Sequence, residues 1–175
     1  MSSPLLRAPQ PSDADAWFDF LVAQQAKAYA GIVPEDFATG QDRKYRDAWV
    51  PELAAAFASP GTARRVVAEL NGGIVGIASI LDGPQDWEIA AGLVPSPAGR
   101  ELERLYLDPS QHGTGLARAM FNVVDEGEDL YLWLIDGNER AHRFYKRLGF
   151  ADVDEQHAAG NDWGGVGMHR MARLS

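Results

Sequence analysis

One short glycine-rich segment carries the residue types that bind a phosphate group. It runs from Gln111 to Ala117 as Gln-His-Gly-Thr-Gly-Leu-Ala and joins a strand-like stretch to a clearly periodic helix. In that position several backbone N–H groups and the positive end of a helix dipole face one small volume, and the glycines let the backbone approach an anion. An isolated Gly-x-Gly also fits an ordinary strand-to-helix turn. Features elsewhere in the chain are therefore needed to distinguish a phosphate-binding loop from such a turn.

Other phosphate loops and catalytic motifs do not match the sequence. A dinucleotide fingerprint needs a third glycine where Arg118 stands, and neither Gly-Lys-Ser/Thr nor Gly-x-Ser-x-Gly occurs. The absence of cysteine excludes disulfides, thiolate zinc sites and cysteine nucleophiles. The histidines show no metal-ligand spacing. The sequence therefore predicts no metal site from its four histidines, His112, His142, His157 and His169.

A strand before the loop and a helix after it are both predicted from hydrophobic periodicity. In residues 101–107 the apolar positions change from even to odd at Leu105. This change predicts a β-bulge near 103–105, although a strand buried on both faces would look similar. Apolar residues at helical spacing begin at Leu116, and 130–135 is an apolar run of buried-strand length. Strand, helix and strand together predict a parallel βαβ unit.

Two helices are predicted at the start of the chain. Ser12 and the acidic residues after it favour a capped amphipathic helix over about residues 13–30. A second helical region extends from Phe37 to Phe57, and Pro51 is predicted to kink or divide it.

A hairpin is predicted between these helices and the βαβ unit. Residues 63–70 and 74–81 are strand-like, and the Asn71-Gly-Gly turn between them favours an antiparallel pair. Residues 82–100 are rich in proline and glycine and read as a surface loop with room for a short strand around 87–90.

The last part of the chain contains one more well-marked helix. Asn138 is predicted to cap it, and Gly149 stands where a helix end favours a left-handed residue. Residues 150–154 and 166–174 are weaker strand candidates. The pattern predicts an α/β fold with a single domain over residues 1–175.

The amino-acid composition narrows the range of binding partners that we expect. A formal net charge of −9 and a pI near 4.8 make nucleic acid an unfavourable partner. No apolar run is long enough to cross a bilayer, and the first twenty residues lack the features of a secretory signal. Together with the absence of cysteine, this predicts a soluble cytoplasmic protein with no membrane partner. We expect a monomer or a homodimer.

Two segments of the chain, in this order along the sequence, resemble motifs of one known protein family. His112-Gly-Thr-Gly-Leu-Ala117 resembles the acyl-CoA pyrophosphate loop of the GNAT N-acetyltransferases, usually Gln/Arg-x-x-Gly-x-Gly/Ala, with His112 departing from the usual first residue. The segment from Asn138 to Phe150 is similar to the family's Asn-x-x-Ala-x-x-Phe-Tyr-x-x-x-Gly-Phe. The resemblance covers nearly the whole chain. It implies a mixed central sheet that splays at the acyl-CoA site, with two leading helices and an antiparallel hairpin.

The resemblance also implies acetyl-CoA as cosubstrate, no metal, and a set of binding residues. Leu105 and Leu107 would pair with the pantetheine arm through their backbone groups, while Asn138 and Tyr145 would flank the thioester. The pyrophosphate would be held by the loop and the first helical turn, with a side-chain contribution from His112 left open. These residues are Gly113, Thr114, Gly115, Leu116, Ala117 and Arg118.

Catalysis would require a base and an acid. An amine is protonated near neutral pH and must lose a proton before it attacks a thioester. Glu101 and Glu103 precede the predicted bulge and are the candidate bases, with a preference for Glu103. The resemblance places the phenol of Tyr145 beside the sulfur as the acid. The predicted activity is acetyl transfer to a primary amine of a small molecule or peptide, by direct attack in a ternary complex.

Two alternatives remain at this stage. The first is a GNAT-fold regulatory module that binds acyl-CoA without turnover, against which the presence of Tyr145 argues. The second is a generic α/β nucleotide-binding protein.

Overall fold

The chain is organised around one mixed β-sheet. The computed structural model describes residues 3–153 and 156–175. The strands within this part are β1 (Leu5–Arg7), β2 (Arg64–Leu70), β3 (Gly73–Asp82), β4 (Arg100–Leu107), β5 (Leu130–Ile135), β6 (Ala151–Asp152), β7 (His157–Ala158) and β8 (Gly167–Arg173). The helices are α1 (Ala14–Ala28), α2 (Phe37–Ala58), α3 (Asp86–Ala90), α4 (Leu116–Val124) and α5 (Glu139–Arg147). The sheet runs β1-β2-β3-β4-β5-β8-β6, and β7 pairs with β8. The predicted α/β class is confirmed.

The two leading helices cover one face of the sheet. α1 buries Trp17 and Leu21 against Val67 and Ile77 of the hairpin strands. The prediction for Pro51 was that it kinks or divides this region; α2 is one continuous helix that contains Pro51, so division was wrong and the kink stays a prediction. Trp49 and Val50 before the proline and Leu53, Ala54 and Phe57 after it belong to the same apolar cluster, and this packing holds both halves in place. None of the helices in the described part is long and apolar enough to span a bilayer.

The predicted antiparallel hairpin is confirmed. β2 and β3 pair from Arg64 opposite Ile80 to Leu70 opposite Gly73, with a register shift of one residue between Ala68 and Glu69. Asn71 has φ 52°, and the glycine after it also has positive φ, as a tight hairpin turn requires. The short strand β1, which pairs with β2, was not predicted because three residues are too few to show alternation.

A short helix forms in the predicted surface loop, where the sequence had left room for a short strand around 87–90. Residues 86–90 make the single-turn helix α3, not a strand. A capping box explains the difference: the backbone N–H of Gln85 donates to a carboxylate oxygen of Glu88 at 2.6 Å. The buried side chain of Glu88 then fixes this turn against the sheet.

The predicted bulge and the splayed sheet are both present in β4. Ser79 lies opposite Arg104 and Ile80 opposite Leu102, so Glu103 is the extra residue of a β-bulge. β4 runs parallel to β5, but Glu101 and Tyr131 are the one register pair between them within the described residues. Beyond that pair the two strands separate, and a gap opens in the middle of the sheet.

The other face of the sheet is covered by α4. Leu116, Met120, Phe121 and Val124 face a core that includes buried residues of the hairpin and of β5. Gly149, with φ 91°, ends the turn after α5 as predicted.

The last strands are shorter than the sequence indicated. The strand predicted over 150–154 is the two-residue β6, and Asp154 lies outside the described residues. The strand predicted over 166–174 is β8. β7 was not predicted, because two residues carry no periodicity.

Candidate active site

A cavity of about 770 Å³ occupies the gap between β4 and β5. Its wall includes the end of α1, the outer half of β4, the glycine-rich loop, β5 and α5. Thr114, Leu116 and Glu101 lie outside the wall. The sequence-predicted residues that line it are Glu103, Leu105, Leu107, His112, Gly113, Gly115, Ala117, Arg118, Asn138 and Tyr145.

The glycine-rich loop presents unpaired backbone donors to this cavity. Gly113 and Gly115 have φ 77° and 88°, and no atom lies within 4 Å of a Cβ built on either one. The N–H groups of Gly113, Gly115, Ala117 and Arg118 have no acceptor within the described part of the chain. Four free donors at a helix N-terminus form a site that fits a pyrophosphate.

Thr114 and Leu116 support the loop from behind. The hydroxyl of Thr114 donates to the carbonyl of Gln111 at 2.8 Å and accepts from the N–H of Leu116 at 3.3 Å. The Leu116 side chain is buried in the core beneath α4. These side chains therefore hold the turn in shape, while the glycines face the cavity.

The backbone of β4 is free on the side that faces the gap. The N–H of Asp108 donates to the carbonyl of Val75 at 2.9 Å, which makes these two residues a hydrogen-bonded pair. Bonded and non-bonded pairs alternate along an antiparallel ladder. Leu107 and Leu105 therefore direct their N–H and C=O groups away from β3 and into the gap, where an extended amide-bearing chain can pair with them.

α5 brings Asn138 and Tyr145 to the cavity. The side-chain oxygen of Asn138 accepts from the N–H of Ala141 at 3.2 Å and caps the helix, as predicted. Tyr145 is 9% exposed and packs edge-on against Phe144 and Phe150. Its hydroxyl has no hydrogen-bond partner among the described residues. Burial, with a smaller effect of Tyr106, raises the pKa of Tyr145, so the phenol keeps its proton and is available as a donor.

Basic side chains surround the loop end of the cavity. Arg118, Arg140 and Arg147 all line it. Nη1 of Arg140 lies 2.9 Å from Nε2 of His112. Burial and the charge of Arg140 lower the pKa of His112, which favours the neutral imidazole at physiological pH. Three guanidinium groups in an acidic protein make this end attractive to a phosphorylated ligand.

The opposite end of the cavity is aromatic and carries one carboxylate. Glu103 accepts from the Ser79 hydroxyl at 2.8 Å and lies 3.4 Å from a guanidinium nitrogen of Arg104. The hydroxyls of Tyr29 and Tyr106 are 3.1 Å apart. Tyr29, Tyr106 and Trp133 also line the cavity, and the sequence analysis did not select them.

The order and geometry of these elements can now be compared with known proteins. The sequence model of the acetyltransferase (GNAT) family matches residues 26–150, well over half of the chain. The chain belongs to the GNAT family. Enzymes of this family use acetyl-CoA and no metal. No protein in the curated set matches the chain at a significant level.

Solved GNAT structures share the fold over almost the full length. The PaiA N-acetyltransferase of Thermoplasma acidophilum, solved with coenzyme A, has a TM-score of 0.72 at 16% identity, covering 99% of this chain and 100% of its own. YncA of Salmonella typhimurium, solved with acetyl-CoA, has a TM-score of 0.63 at 17% identity, covering 99% and 95%. A chimera of the spermidine N-acetyltransferase SpeG of Vibrio cholerae with hSSAT has a TM-score of 0.61 at 19% identity, covering 99% and 96%. At these identities the likeness establishes the fold.

Glu101, the second candidate base of this GNAT protein, is buried away from the cavity. It is 4% exposed, and one of its carboxyl oxygens is buried with no partner in the described structure. Burial, followed by the charges of Glu103 and Glu88, raises the pKa of Glu101 from 4.5 to about 8. A carboxyl that stays protonated at neutral pH and lies outside the cavity is poorly placed to accept a proton from a substrate.

We expect Glu101 to make the GNAT domain less stable as the pH rises. Between pH 4.5 and about 8 the folded chain keeps the proton that the unfolded chain loses. Unfolding then becomes easier by up to about 1.4 kcal/mol per pH unit from this group. Glu101→Gln should remove that contribution, so the difference in urea-unfolding free energy between wild type and variant should grow from about pH 5 to about pH 8. A constant difference over this range would contradict the raised pKa.

Proposed function

We propose that this chain is an acetyl-CoA-dependent N-acetyltransferase that acetylates a primary amine of a small molecule or peptide by direct attack in a ternary complex. One observation carries the proposal. The free backbone donors of the glycine-rich loop, the unpartnered hydroxyl of Tyr145 and the carboxylate of Glu103 all face the same cavity. A phosphate-binding end, a proton donor and a proton acceptor thus lie along one continuous space.

The binding role is assigned to the loop and to the free edge of β4. Backbone N–H groups of Gly113, Gly115, Ala117 and Arg118 would hold the pyrophosphate, and the backbone of Leu105 and Leu107 would pair with the pantetheine amides. Arg118 also brings its positive charge to the same end. In this arrangement the thioester would lie toward Tyr145.

The chemical role is assigned to Glu103 and Tyr145. Glu103 would accept the proton of the acceptor ammonium, directly or through a water molecule. The freed nitrogen lone pair attacks the thioester carbonyl carbon, an N–C bond forms, the C–S bond breaks, and the second proton that the nitrogen loses goes to the thiolate, so that CoA leaves as the free thiol. Tyr145 would donate a hydrogen bond to the departing sulfur. Because its pKa is raised, Tyr145 enters the reaction with its proton in place.

The aromatic end of the cavity, where the acceptor substrate would bind, suits an amine but does not identify which one. The cavity wall includes the aromatic side chains of Tyr29, Tyr106 and Trp133 and the carboxylate of Glu103. A cationic amine is attracted both to aromatic rings and to a negative charge. Spermidine, the acceptor in the name of one structural relative, has this chemistry. A release assay for free CoA across polyamines, amino acids, aminoglycosides and peptides should identify acceptors. No turnover with any primary amine, together with tight acetyl-CoA binding, would favour the regulatory alternative.

We also propose a cellular location and an oligomeric state for the protein. We place the protein in the cytoplasm because its sequence contains no cysteine and so does not depend on an oxidising compartment for disulfides. We propose one catalytic domain over residues 1–175 that acts as a monomer or a homodimer.

The loop assignment is tested by Gly115→Val. Acetyl-CoA should raise the melting temperature of the wild type, since it binds the folded state. A valine Cβ at position 115 would project into the open space before the loop donors and should weaken binding at least about 10-fold. Because Gly115 has φ 88°, the variant should also lose stability.

A matched control variant distinguishes the loss of stability caused by backbone strain from the loss of acetyl-CoA binding. Gly127 has φ 84°, with no atom within 4 Å of an added Cβ, and it lies outside the cavity. Gly127→Val should therefore lose similar stability but keep the full acetyl-CoA shift. An undiminished shift in Gly115→Val would place the cofactor elsewhere.

A further inference from the structure

Three metal-ligating side chains meet on the surface of the molecule, outside the cavity. His142 on α5, Asp152 on β6 and His169 on β8 each offer one ligand atom, and these atoms all lie within 4.8 Å of one another. Oδ1 of Asp152 is 2.9 Å from Nε2 of His142 and 3.1 Å from Nε2 of His169. The side chains are 25%, 40% and 18% exposed, in chain order, so an ion from solvent can reach them.

The spacing matches what a small divalent ion needs. A tetrahedral zinc ion with bonds of about 2.0 to 2.1 Å holds its ligand atoms about 3.3 Å apart. Two of the three ligand separations are 2.9 and 3.1 Å, and the third is at most 4.8 Å, so small side-chain rotations would open the space for the ion. Two imidazole nitrogens and one carboxylate oxygen are a donor set that zinc accepts, with the fourth position left for water.

A second carboxylate orients one of the histidines. Oδ1 of Asp136 lies 2.5 Å from Nδ1 of His169, and its other oxygen accepts from the side chain of Gln156. A metal-binding histidine commonly donates its remaining N–H to a carboxylate, which fixes the tautomer and turns the other nitrogen toward the ion. The Asp136-His169 pair has this arrangement, and Nε2 of His169 faces Asp152.

One cation already lies beside the cluster. Nζ of Lys146 is 3.6 Å from Oδ2 of Asp152, on the oxygen that does not bridge the two histidines. The Lys146 side chain is 54% exposed and can turn into solvent when an ion arrives.

We propose that His142, Asp152 and His169 form a zinc-binding site that ties α5 to the last strands of the sheet. α5 is capped by Asn138 and contains Tyr145, so the ion would hold in place the helix that lines the cavity. The site lies apart from the proposed chemistry, which uses no metal. The linear spacing of the histidines gave no indication of it, because its ligands come from three separate elements.

Zinc binding by tag-free, chelator-treated protein tests the site. Equilibrium dialysis against zinc chloride should give one zinc ion per chain, and Co²⁺ in its place should show the visible absorption of a tetrahedral complex. His142→Gln and His169→Gln should each weaken zinc binding by about 100-fold, and Asp136→Ala by about 10-fold. Zinc should also raise the melting temperature of the wild type.

The control is a histidine outside the cluster. His157, whose ring packs against Trp133, is not a member. His157→Gln should bind zinc as the wild type does. The proposal is overturned if the wild type binds no zinc at millimolar concentration, or if folded His142→Gln and His169→Gln bind it undiminished. Because the readout is bound metal, neither result depends on acetyl-CoA or on turnover.

Discussion

Tyr145→Phe should lower turnover by roughly 10²- to 10³-fold while acetyl-CoA binds almost unchanged. The substitution keeps the ring and its contacts with Phe144 and Phe150 and removes the hydroxyl alone. That hydroxyl has no partner among the described residues, so its loss should also leave the melting temperature unchanged. A donor that acts mainly in the transition state affects the rate and not the ground-state binding. Steady-state turnover, acetyl-CoA titration and thermal melting measure the three quantities.

Tyr131→Phe provides the matched control. Tyr131 is also buried, but its hydroxyl donates to Glu88 at 2.8 Å and it lies outside the cavity. Removing this hydroxyl should cost about 1 to 3 kcal/mol of stability, because Glu88 loses a buried partner. Turnover should stay within a few-fold of the wild type. If Tyr145→Phe retains full activity, Tyr145 is a packing residue and its assignment as acid is withdrawn.

Glu103→Gln should reduce turnover by roughly 10²- to 10³-fold near neutral pH, where the acceptor amine is protonated. Glutamine keeps the size of the side chain, and its carbonyl can still accept from the hydroxyl of Ser79. It cannot take a proton from an ammonium group. The deficit should shrink as the pH rises toward the amine pKa of about 10.4, since more of the acceptor is already neutral. The pH profile of turnover, with acetyl-CoA affinity measured in parallel, checks both statements.

Glu101→Gln is the comparison that decides between the two glutamates. Glu101 is buried outside the cavity, and its raised pKa of about 8 keeps it protonated at neutral pH. Glutamine closely resembles a protonated glutamic acid, so turnover of Glu101→Gln should stay near that of the wild type. Loss of turnover in Glu101→Gln with normal turnover in Glu103→Gln would reverse the assignment.

Local features of the sequence were sufficient for several parts of this site. The change of alternation within 101–107 located the bulge that the register shift at Glu103 confirms. An extra residue must move later side chains to the other face, so the effect is visible in the pattern itself. Asn138 was recognised as a cap because capping depends on residues within one turn.

Other features depended on residues far apart in the chain. Residues 82–100 were predicted as a surface loop with room for a short strand around 87–90, but the Gln85-Glu88 capping box makes residues 86–90 a helix. Glu88 can be buried there because Tyr131 and Trp133, from a distant strand, donate to its carboxylate at 2.8 and 2.9 Å. Burying a carboxylate without such donors would cost free energy. Nothing within residues 82–100 indicates that Tyr131 and Trp133 supply these hydrogen bonds.

The sequence by itself indicated the family, through two short motifs, and predicted most of the longer helices and strands. The phosphate loop and the acid were predicted from the resemblance that these motifs carry, because each motif lies within a few consecutive residues. Only the tertiary structure decided which glutamate faces the cavity. Glu101 and Glu103 are two residues apart, and the bulge and the splay of β4 place one in the core and the other in the gap. The same holds for the cluster of His142, Asp152 and His169, whose side chains are brought together by a helix and two strands. Contacts of this kind depend on how elements pack, and packing is decided by the whole chain rather than by local spacing.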